Sequence, residues 1–457
     1  MIMRNKPITP RMRVAFVPMK NSFIGIARSI IYNELYRNSS KGVLVLRIDD
    51  TDSTKSDADY HSILNDLRLL GLSWDEGPDV GGPYSPYIQS QRGDIYINHV
   101  NQLLDRGLAY RCFCKGENSN CQCFELPKEE VYKRSISQSY CVRFHLCKKE
   151  DYIDDLIHGR IKMDTSILKN PVILRSDHTP TFHIATVVDD TLFHITHILR
   201  GSDHIIGAFI QKQLFEAFNY PVPQLAHFSI FTNMDKTAIK VGDYDLSLEN
   251  LLKTGYPKEA IVSFLAQNGY HGNVTVSDHH IMTKDFSFSR FSKNNTAYDV
   301  THLYSISKRV IKDMSNEHFL EWALDGADDI LRNAHPQLIL SQQKRIKNKK
   351  ELIANIHALY DCSEEYVSKT ERLIYDSITR ENAMAILSPF VVRLRALQSW
   401  DLSNIEQVFS SLTTERLKSY QLIRTILTGN CPFGDLHELI SLFGKENTIN
   451  KLGLFLQ

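Results

Sequence analysis

VAFVPMKNSFIGIARSIIYNELY, Val14–Tyr36, contains a strand, a loop and a helix in that order. VAFV reads as a short buried strand, and in IARSIIYNELY the residues Ile26, Ile30, Ile31 and Leu35 fall on one helical stripe. A nucleotide-binding loop is expected where such a strand runs into a helix, because the first backbone N–H groups and the positive end of the helix dipole face an anion there. The loop MKNSF, Met19–Phe23, lacks the polar residues such a loop uses. Next comes GVLVLRIDD, Gly42–Asp50, an apolar run ending in carboxylates, as a parallel strand does when its carboxyl end faces a ligand. SDADYHSILNDLRLLGL, Ser56–Leu72, supplies the next helix through Ile63, Leu64, Leu67 and Leu70, with Gly71 as its stop. Strand, helix, strand, helix predicts an α/β fold with a doubly wound sheet.

The chain has 457 residues, which is long for one core, so two or three domains are expected. Lys plus Arg and Asp plus Glu number 53 each, so a nucleic-acid partner has to be met by a local basic face and not by overall charge. No run of about 18 apolar residues appears and Met1–Arg13 has no signal-peptide core, so no membrane association and a cytoplasmic location are expected. Six of the eight cysteines lie between Cys112 and Cys147. In a reducing compartment such a cluster points to a metal, or to nothing, ahead of disulfides.

Between Arg106 and Asp189 the pattern loosens into a cysteine-rich, charged stretch that reads as an insertion. VVDD, HITHILRGSDH and IQKQLFEAFNY then resume the alternation of strand and helix. From about Ile281 the pattern turns helical, interrupted by Pro336, Pro389 and Pro432, which marks a separate helical domain.

Four motifs bear on chemistry. In VLRIDDTD, Val45–Asp52, the carboxylates Asp49, Asp50 and Asp52 sit at a strand end, where they either hold a substrate amine or ribose hydroxyls, or cap the next helix. In ILRGSDH, Ile198–His204, the Arg200 guanidinium either grips a carboxylate or forms a surface ion pair. Cys112, Cys114, Cys121 and Cys123 offer four thiolates to a tetrahedral zinc, with Cys141 or His145 as substitute ligands; reduced loop cysteines are the other reading. QQKRIKNKK, Gln342–Lys350, is either a solvated helix face or a phosphate contact.

LRIDDTD, LGLSWDEGP (Leu70–Pro78), IQSQRGDIY (Ile88–Tyr96), GLAYRCFC (Gly107–Cys114), VVDDTLFHITHILRGSDH (Val187–His204) and LFEAFNYPVPQLAHFSIF (Leu214–Phe231) resemble, in order and spacing, the glutamyl-tRNA synthetases of bacteria. LTGNCPFGDLHELISLFG, Leu427–Gly444, is similar to the end of that family's anticodon-binding domain, so the resemblance spans nearly the whole chain. It implies a Rossmann-type class I catalytic half over 1–105 and an inserted acceptor-stem-binding region over 106–189. A second catalytic half with a signature loop is implied over 190–280, and an all-helical anticodon-binding domain over 281–457. A helical region there separates the chain from the glutaminyl relatives, whose anticodon region resembles β-barrels. The implied reaction condenses ATP, with Mg²⁺, and glutamate to an adenylate and passes the glutamyl group to tRNA. The implied sites are Lys240 for catalysis, Gly25, Asp203, His204 and Lys240 for ATP, and Asp49, Phe182 and Arg200 for the amino acid. Some family members also hold zinc in the inserted region, beginning at the Cys-x-Cys that is Cys112 and Cys114 here.

This chain departs from the family pattern. Phe23 stands in place of a histidine, Ala15 in place of an arginine that meets the substrate carboxylate, and Phe182 in place of a tyrosine. Asp49 replaces a glutamate, and of the second signature TAIKV, Thr237–Val241, only Lys240 remains. Lys20, Lys212 and Lys236 are the nearby candidates to replace the lost charge. Three readings follow: a glutamate–tRNA ligase with an unusual site, a paralogue that binds tRNA without forming adenylate, and a partner of another synthetase.

Overall fold

The structure is a computed structural model that describes residues 9–18, 24–51, 60–114, 121–237, 239, 247–277, 280–412 and 416–456. It divides into two compact units, one of residues 1–251 and 261–299, the other of residues 252–260 and 300–457.

The first unit is built on a six-stranded sheet. Its elements, in chain order, begin with β1 (Arg11–Phe16), α1 (Ile24–Ser40), β2 (Val43–Ile48), α2 (Tyr60–Leu69) and α3 (Gly93–Asp105). They continue with β3 (Ala109–Cys112), α4 (Lys128–Ser137), β4 (Cys141–Phe144), β5 (Glu150–Asp155), β6 (Gly159–Asp164) and β7 (Val172–Leu174). α5 (Phe182–Leu192), β8 (His197–Gly201), α6 (Ile205–Ala217) and β9 (Gln224–Phe228) complete the frame. The sheet order is β2-β1-β8-β9-β5-β6, with every pair parallel except β5–β6. Apart from Arg47, β2 is apolar on both faces, as expected of a strand covered by helices on either side, whereas β1 carries Arg11 and Arg13 on one face and Met12, Val14 and Phe16 on the other. Gly71, at φ 79°, ends the chain segment after α2 as its sequence position suggests.

The reading of residues 106–189 as one insertion needs correction at two points. Only β3, β4 and β7 form a separate antiparallel sheet, while β5 and β6 join the main sheet through β9. The boundary at 189 also falls inside α5, where VVDD is helical. The physical reason is burial: Val142, Phe144 and Ile173 of the small sheet share one core with Val100 of α3, Val187 of α5 and Leu214 of α6.

The helical region starts later than residue 281. A β-hairpin, Val274–Ser277 with His280–Thr283, and a short strand, Thr296–Ala297, intervene, and helices follow from Val300–Asp313 onward. The second unit has its own core, which includes Phe319, Leu352, Phe390, Phe409 and Ile423. Pro389 lies inside the helix Arg380–Ala396 without ending it, and Pro336 opens the helix Pro336–Leu340, where a missing N–H costs nothing. Residues 342–345 of the basic run form turns, and its last two, Lys349 and Lys350, open the helix Lys349–Tyr360, so the run is not one helix face. Lys347 pairs with Glu351 at 2.7 Å and Lys349 donates to the Asp325 carbonyl at 2.8 Å, while Lys344 and Lys350 are exposed.

Candidate active site

β1, β2 and β8 lie side by side, and the candidate residues collect beyond their carboxyl ends, where a doubly wound sheet opens its ligand crevice. Residues 11, 13 and 15 share one face of β1 by strand alternation. Arg13 donates from Nε and Nη2 to the two oxygens of Asp190 at 3.0 and 3.1 Å. Arg47, next to last in β2, donates to Asp190 at 2.9 Å and to both oxygens of Asp49 at 2.6 and 3.1 Å. Its Nε also lies 3.6 Å from Asp189. Asp189 in turn accepts from Arg92 at 2.8 Å, from Gln89 at 2.9 Å and from the Tyr96 hydroxyl at 2.9 Å. All six charged side chains are buried. Burial alone would weaken the Arg47 cation, but Asp49, Asp190 and Asp189 hold it well above the ordinary arginine range. Three arginines against three aspartates make this array electroneutral within itself.

Arg200, at the end of β8, is different. It is buried, and among the described residues no carboxylate lies within ion-pair distance of it. Its partners are neutral: the Nε–H donates to His227 Nε2 at 3.1 Å and Nη2 to the His204 carbonyl at 3.4 Å. Burial, and then the nearby Arg13, push its pKa down to about 9 against the pull of Asp190, Asp203 and Asp155. A buried cation left in that condition favours an incoming anion.

A cavity of about 460 Å³ is lined by Asp49, Thr51, Arg175, Phe182, His183, Asp203 and His204, with Val17, Ile206 and Ile210 as apolar wall. Burial, Arg200 and His204 lower the pKa of His183 to about 4, so its ring is neutral near pH 7. His183 Nδ1 is buried with no hydrogen-bond partner among the described residues. Arg175 donates to the Thr51 carbonyl at 3.4 Å and to the Pro180 carbonyl at 2.9 Å, tying the loop after β2 to the segment that enters α5.

The structure brings Asp49, Phe182, Asp203 and His204 to one cavity and sets Arg200 against His204. Gly25 lies in the first turn of α1, apart from that lining. Lys240, Lys20, Ser22, Phe23 and Asp52 lie outside the described residues. Asp50 accepts from the Ser90 N–H and hydroxyl at 2.7 Å each, so it is tied to the turn Gln89–Arg92 and does not cap the next helix, Tyr60–Leu69. Lys212 forms an ion pair with Asp151 and donates to the Tyr152 carbonyl at 2.7 Å, so it does not replace a lost signature charge. Lys236 sits in an exposed turn with φ 67°. Arg28 is a clamp on α1, donating to the carbonyls of Asn268, at 3.1 Å, and Ser229.

Sequence reasoning missed the roles of Arg47, Asp189 and Asp190, although charges inside apolar runs such as VLVLRI and ATVVDD signal buried pairs. It also missed Arg175 and His183, which no local pattern marks.

In the small sheet, β3 and the segment after 120 gather Cys112, Cys114, Cys121 and Cys123, whose sulfurs all lie within 4.8 Å of one another. Cys112–Cys121 is 3.5 Å and Cys114–Cys123 is 3.7 Å. Four thiolates around zinc at about 2.3 Å stand about 3.8 Å apart, so the donor set fits that ion. Arg143 Nε points at Cys112 Sγ from 3.4 Å and the Tyr110 hydroxyl at Cys121 Sγ from 3.9 Å. Burial opposes ionisation of Cys112, but the Cys114 backbone N–H and Arg143 bring its thiol down to about 7. Cys141 faces Cys112 across the β3–β4 ladder without joining the four, and the His145 ring is stacked on Phe124 with centroids 3.8 Å apart.

Residues 11–305 match the family of class I tRNA synthetases (E and Q), catalytic domain, and residues 313–456 match an anticodon binding domain. A glutamate–tRNA ligase of Clostridium botulinum is 30% identical over 480 residues, covering 97% of this chain and 98% of the relative. One of Symbiobacterium thermophilum is 28% identical over 485 residues, covering 97% and 99%. The crystal structure of a glutamate tRNA ligase from Elizabethkingia meningosepticum, in complex with its amino acid, shares the fold with a TM-score of 0.76 at 22% identity, covering 98% of this chain and 99% of that one. No helix among the described residues is long and apolar enough to cross a membrane. On a parallel sheet with its crevice at the β1–β8 junction, followed by a helical unit, and with a family match over more than half its length, the chain belongs to the class I tRNA synthetases (E and Q).

Proposed function

We propose that this chain is a glutamate–tRNA ligase, which joins glutamate to ATP as an adenylate and then transfers the glutamyl group to tRNA. The observation that carries the reading is Arg200, a buried guanidinium with no carboxylate partner among the described residues, beside an array whose charges already balance. In this reading Arg200 takes a carboxylate of the amino acid and Asp49, already oriented by Arg47, accepts from its ammonium group. The backbone N–H groups at the start of α1, around Gly25, face the ATP phosphates; Asp203 and His204 border the nucleotide. Lys240 neutralises phosphate charge as pyrophosphate leaves, and Mg²⁺ bound to ATP supplies further charge. A carboxylate oxygen attacks the α-phosphorus, and a ribose hydroxyl of the tRNA then attacks the carbonyl carbon and releases AMP. Phe182 supplies a ring without a hydroxyl and Ala15 supplies no cation, so glutamate is held by fewer donors than the family pattern provides. The four cysteines would hold a structural zinc, and the helical unit would carry the contact with tRNA.

ATP–pyrophosphate exchange with glutamate, run with and without tRNA, tests the reading. Exchange that depends on glutamate and falls at least ~100-fold in Lys240→Ala is expected, the size of losing one charge-stabilising donor. Absence of exchange while tRNA binds in a salt-dependent way would overturn it in favour of a chain that holds tRNA without activating an amino acid.

A further inference from the structure

Three neighbouring strands align a chain of side chains behind Arg200. Arg200 of β8 stands in register with His227 of β9, and β9 pairs with the end of β5, where Asp155 lies. The Asp155 carboxylate accepts four hydrogen bonds. Oδ1 takes the backbone N–H groups of Ile157 and His158 at 2.9 Å each, and Oδ2 takes the backbone N–H of His227 at 3.0 Å and its Nδ1 at 2.7 Å. So engaged, an ionised carboxylate only accepts, and the proton of the His227 ring must sit on Nδ1. Nε2 then carries a lone pair, and it is this atom that meets the Arg200 Nε–H at 3.1 Å. Burial, opposed by Asp155, lowers the pKa of the ring, and Arg200 on one side and His158 near it act in the same direction, so the ring is neutral.

We propose that Asp155 and His227 are positioning residues for amino-acid recognition: by taking the Nε–H of Arg200 they fix its guanidinium plane and leave its Nη edge for the substrate carboxylate. The proposal rests on the reading of Arg200 as the carboxylate site. Two features of the chain separate it from mere core packing. The imidazole holds the Asp155 charge one ring away from Arg200, so the arginine is oriented without being neutralised. Nη1 has no partner among the described residues and Nη2 has only the 3.4 Å contact with the His204 carbonyl, so the free edge points toward a residue that lines the cavity. Pre-orientation of this kind lowers the cost of assembling a productive complex.

Two variants of His227 divide the roles of its two nitrogens. His227→Asn keeps a donor near the place of Nδ1 and nothing for Arg200; His227→Gln puts an amide oxygen near the place of Nε2 and releases Asp155. Glutamate KM, ATP KM and kcat are read from exchange kinetics on the full chain, with the thermal midpoint alongside. The expected result is a rise of about tenfold or more in glutamate KM for His227→Asn, recovery to within about threefold in His227→Gln, and unchanged ATP KM in both. Equal effects of the two variants on glutamate KM, or parallel shifts in both substrates, would overturn the proposal. If His227→Asn does not fold, ¹⁵N spectra of histidine-labelled wild type decide: the Nδ1–H tautomer is expected for His227, and an Nε2–H or doubly protonated ring would overturn it. A wild type with no glutamate-dependent exchange would overturn the carboxylate reading of Arg200 and the positioning role with it, whereas active wild type with equal variants removes the positioning role alone.

Discussion

Arg13, Arg47 and Arg92 survive in the interior because each meets an aspartate within 3.1 Å, and Asp190 serves two of them. A buried ion pair of this kind adds little net stability over an apolar substitute, yet removing one member strands the other charge. Asp190→Asn takes from Arg13 the aspartate it pairs with and from Arg47 one of the two aspartates it hydrogen-bonds, all of them buried. A loss of about 3 to 5 kcal/mol in urea unfolding is expected, and a loss below about 1 kcal/mol would show that the array reorganises freely. The same array explains why Asp49 can be one methylene shorter than the residue of the family pattern without wandering: Arg47 grips both of its oxygens.

Elements rather than single residues decide two further properties. The antiparallel pairing of β3 with β4 places Cys112 against Cys141 in register, yet the metal-sized cluster forms from Cys112, Cys114, Cys121 and Cys123, whose sulfurs lie within 4.8 Å of one another. About one zinc per chain is expected by elemental analysis, with loss of most of it in Cys114→Ser; an unchanged metal content in that variant, or none in the wild type, would count against the site. In the helical unit, Lys451 of the helix Lys445–Gly453 donates to the Ala358 and Leu359 carbonyls at the carboxyl end of the helix Lys349–Tyr360, the second at 2.8 Å, and lies over the Tyr366 ring. Burial lowers its pKa to about 8 from the ordinary 10.5. Between those values the unfolded chain binds more protons than the folded one, so stability rises with pH through that window and is lost as pH falls through 8. The stability of wild type relative to Lys451→Met should therefore shift in favour of wild type by up to about 3 kcal/mol from pH 8 to 10.5, measured by denaturant unfolding; a flat difference would contradict the burial argument.

At the scale of the molecule, each of the two units has its own core, and how legible they were in the sequence differs by region. The alternation around Val14–Tyr36 and Gly42–Asp50 identified the parallel sheet because strands covered on both faces are apolar throughout, and long helical stripes marked the second unit. The onset of that unit at Val300, and not 281, was hidden because the hairpin and the short strand before it are four, four and two residues long, too short to show a period. The order of the family motifs was likewise sequence information, and so was the presence of Asp49, Phe182, Asp203 and His204 in them. What the sequence by itself determined was thus the local periods, the apolar strands and the inventory of charged residues inside them. Only the tertiary structure decided which charge meets which: Arg13 finds Asp190 across 177 residues and Asp155 finds His227 across 72. It alone placed β5 beside β9 and left Arg200 without a carboxylate partner among the described residues, because pairings between distant segments depend on the packing of the whole sheet and leave no mark in the neighbours of either residue.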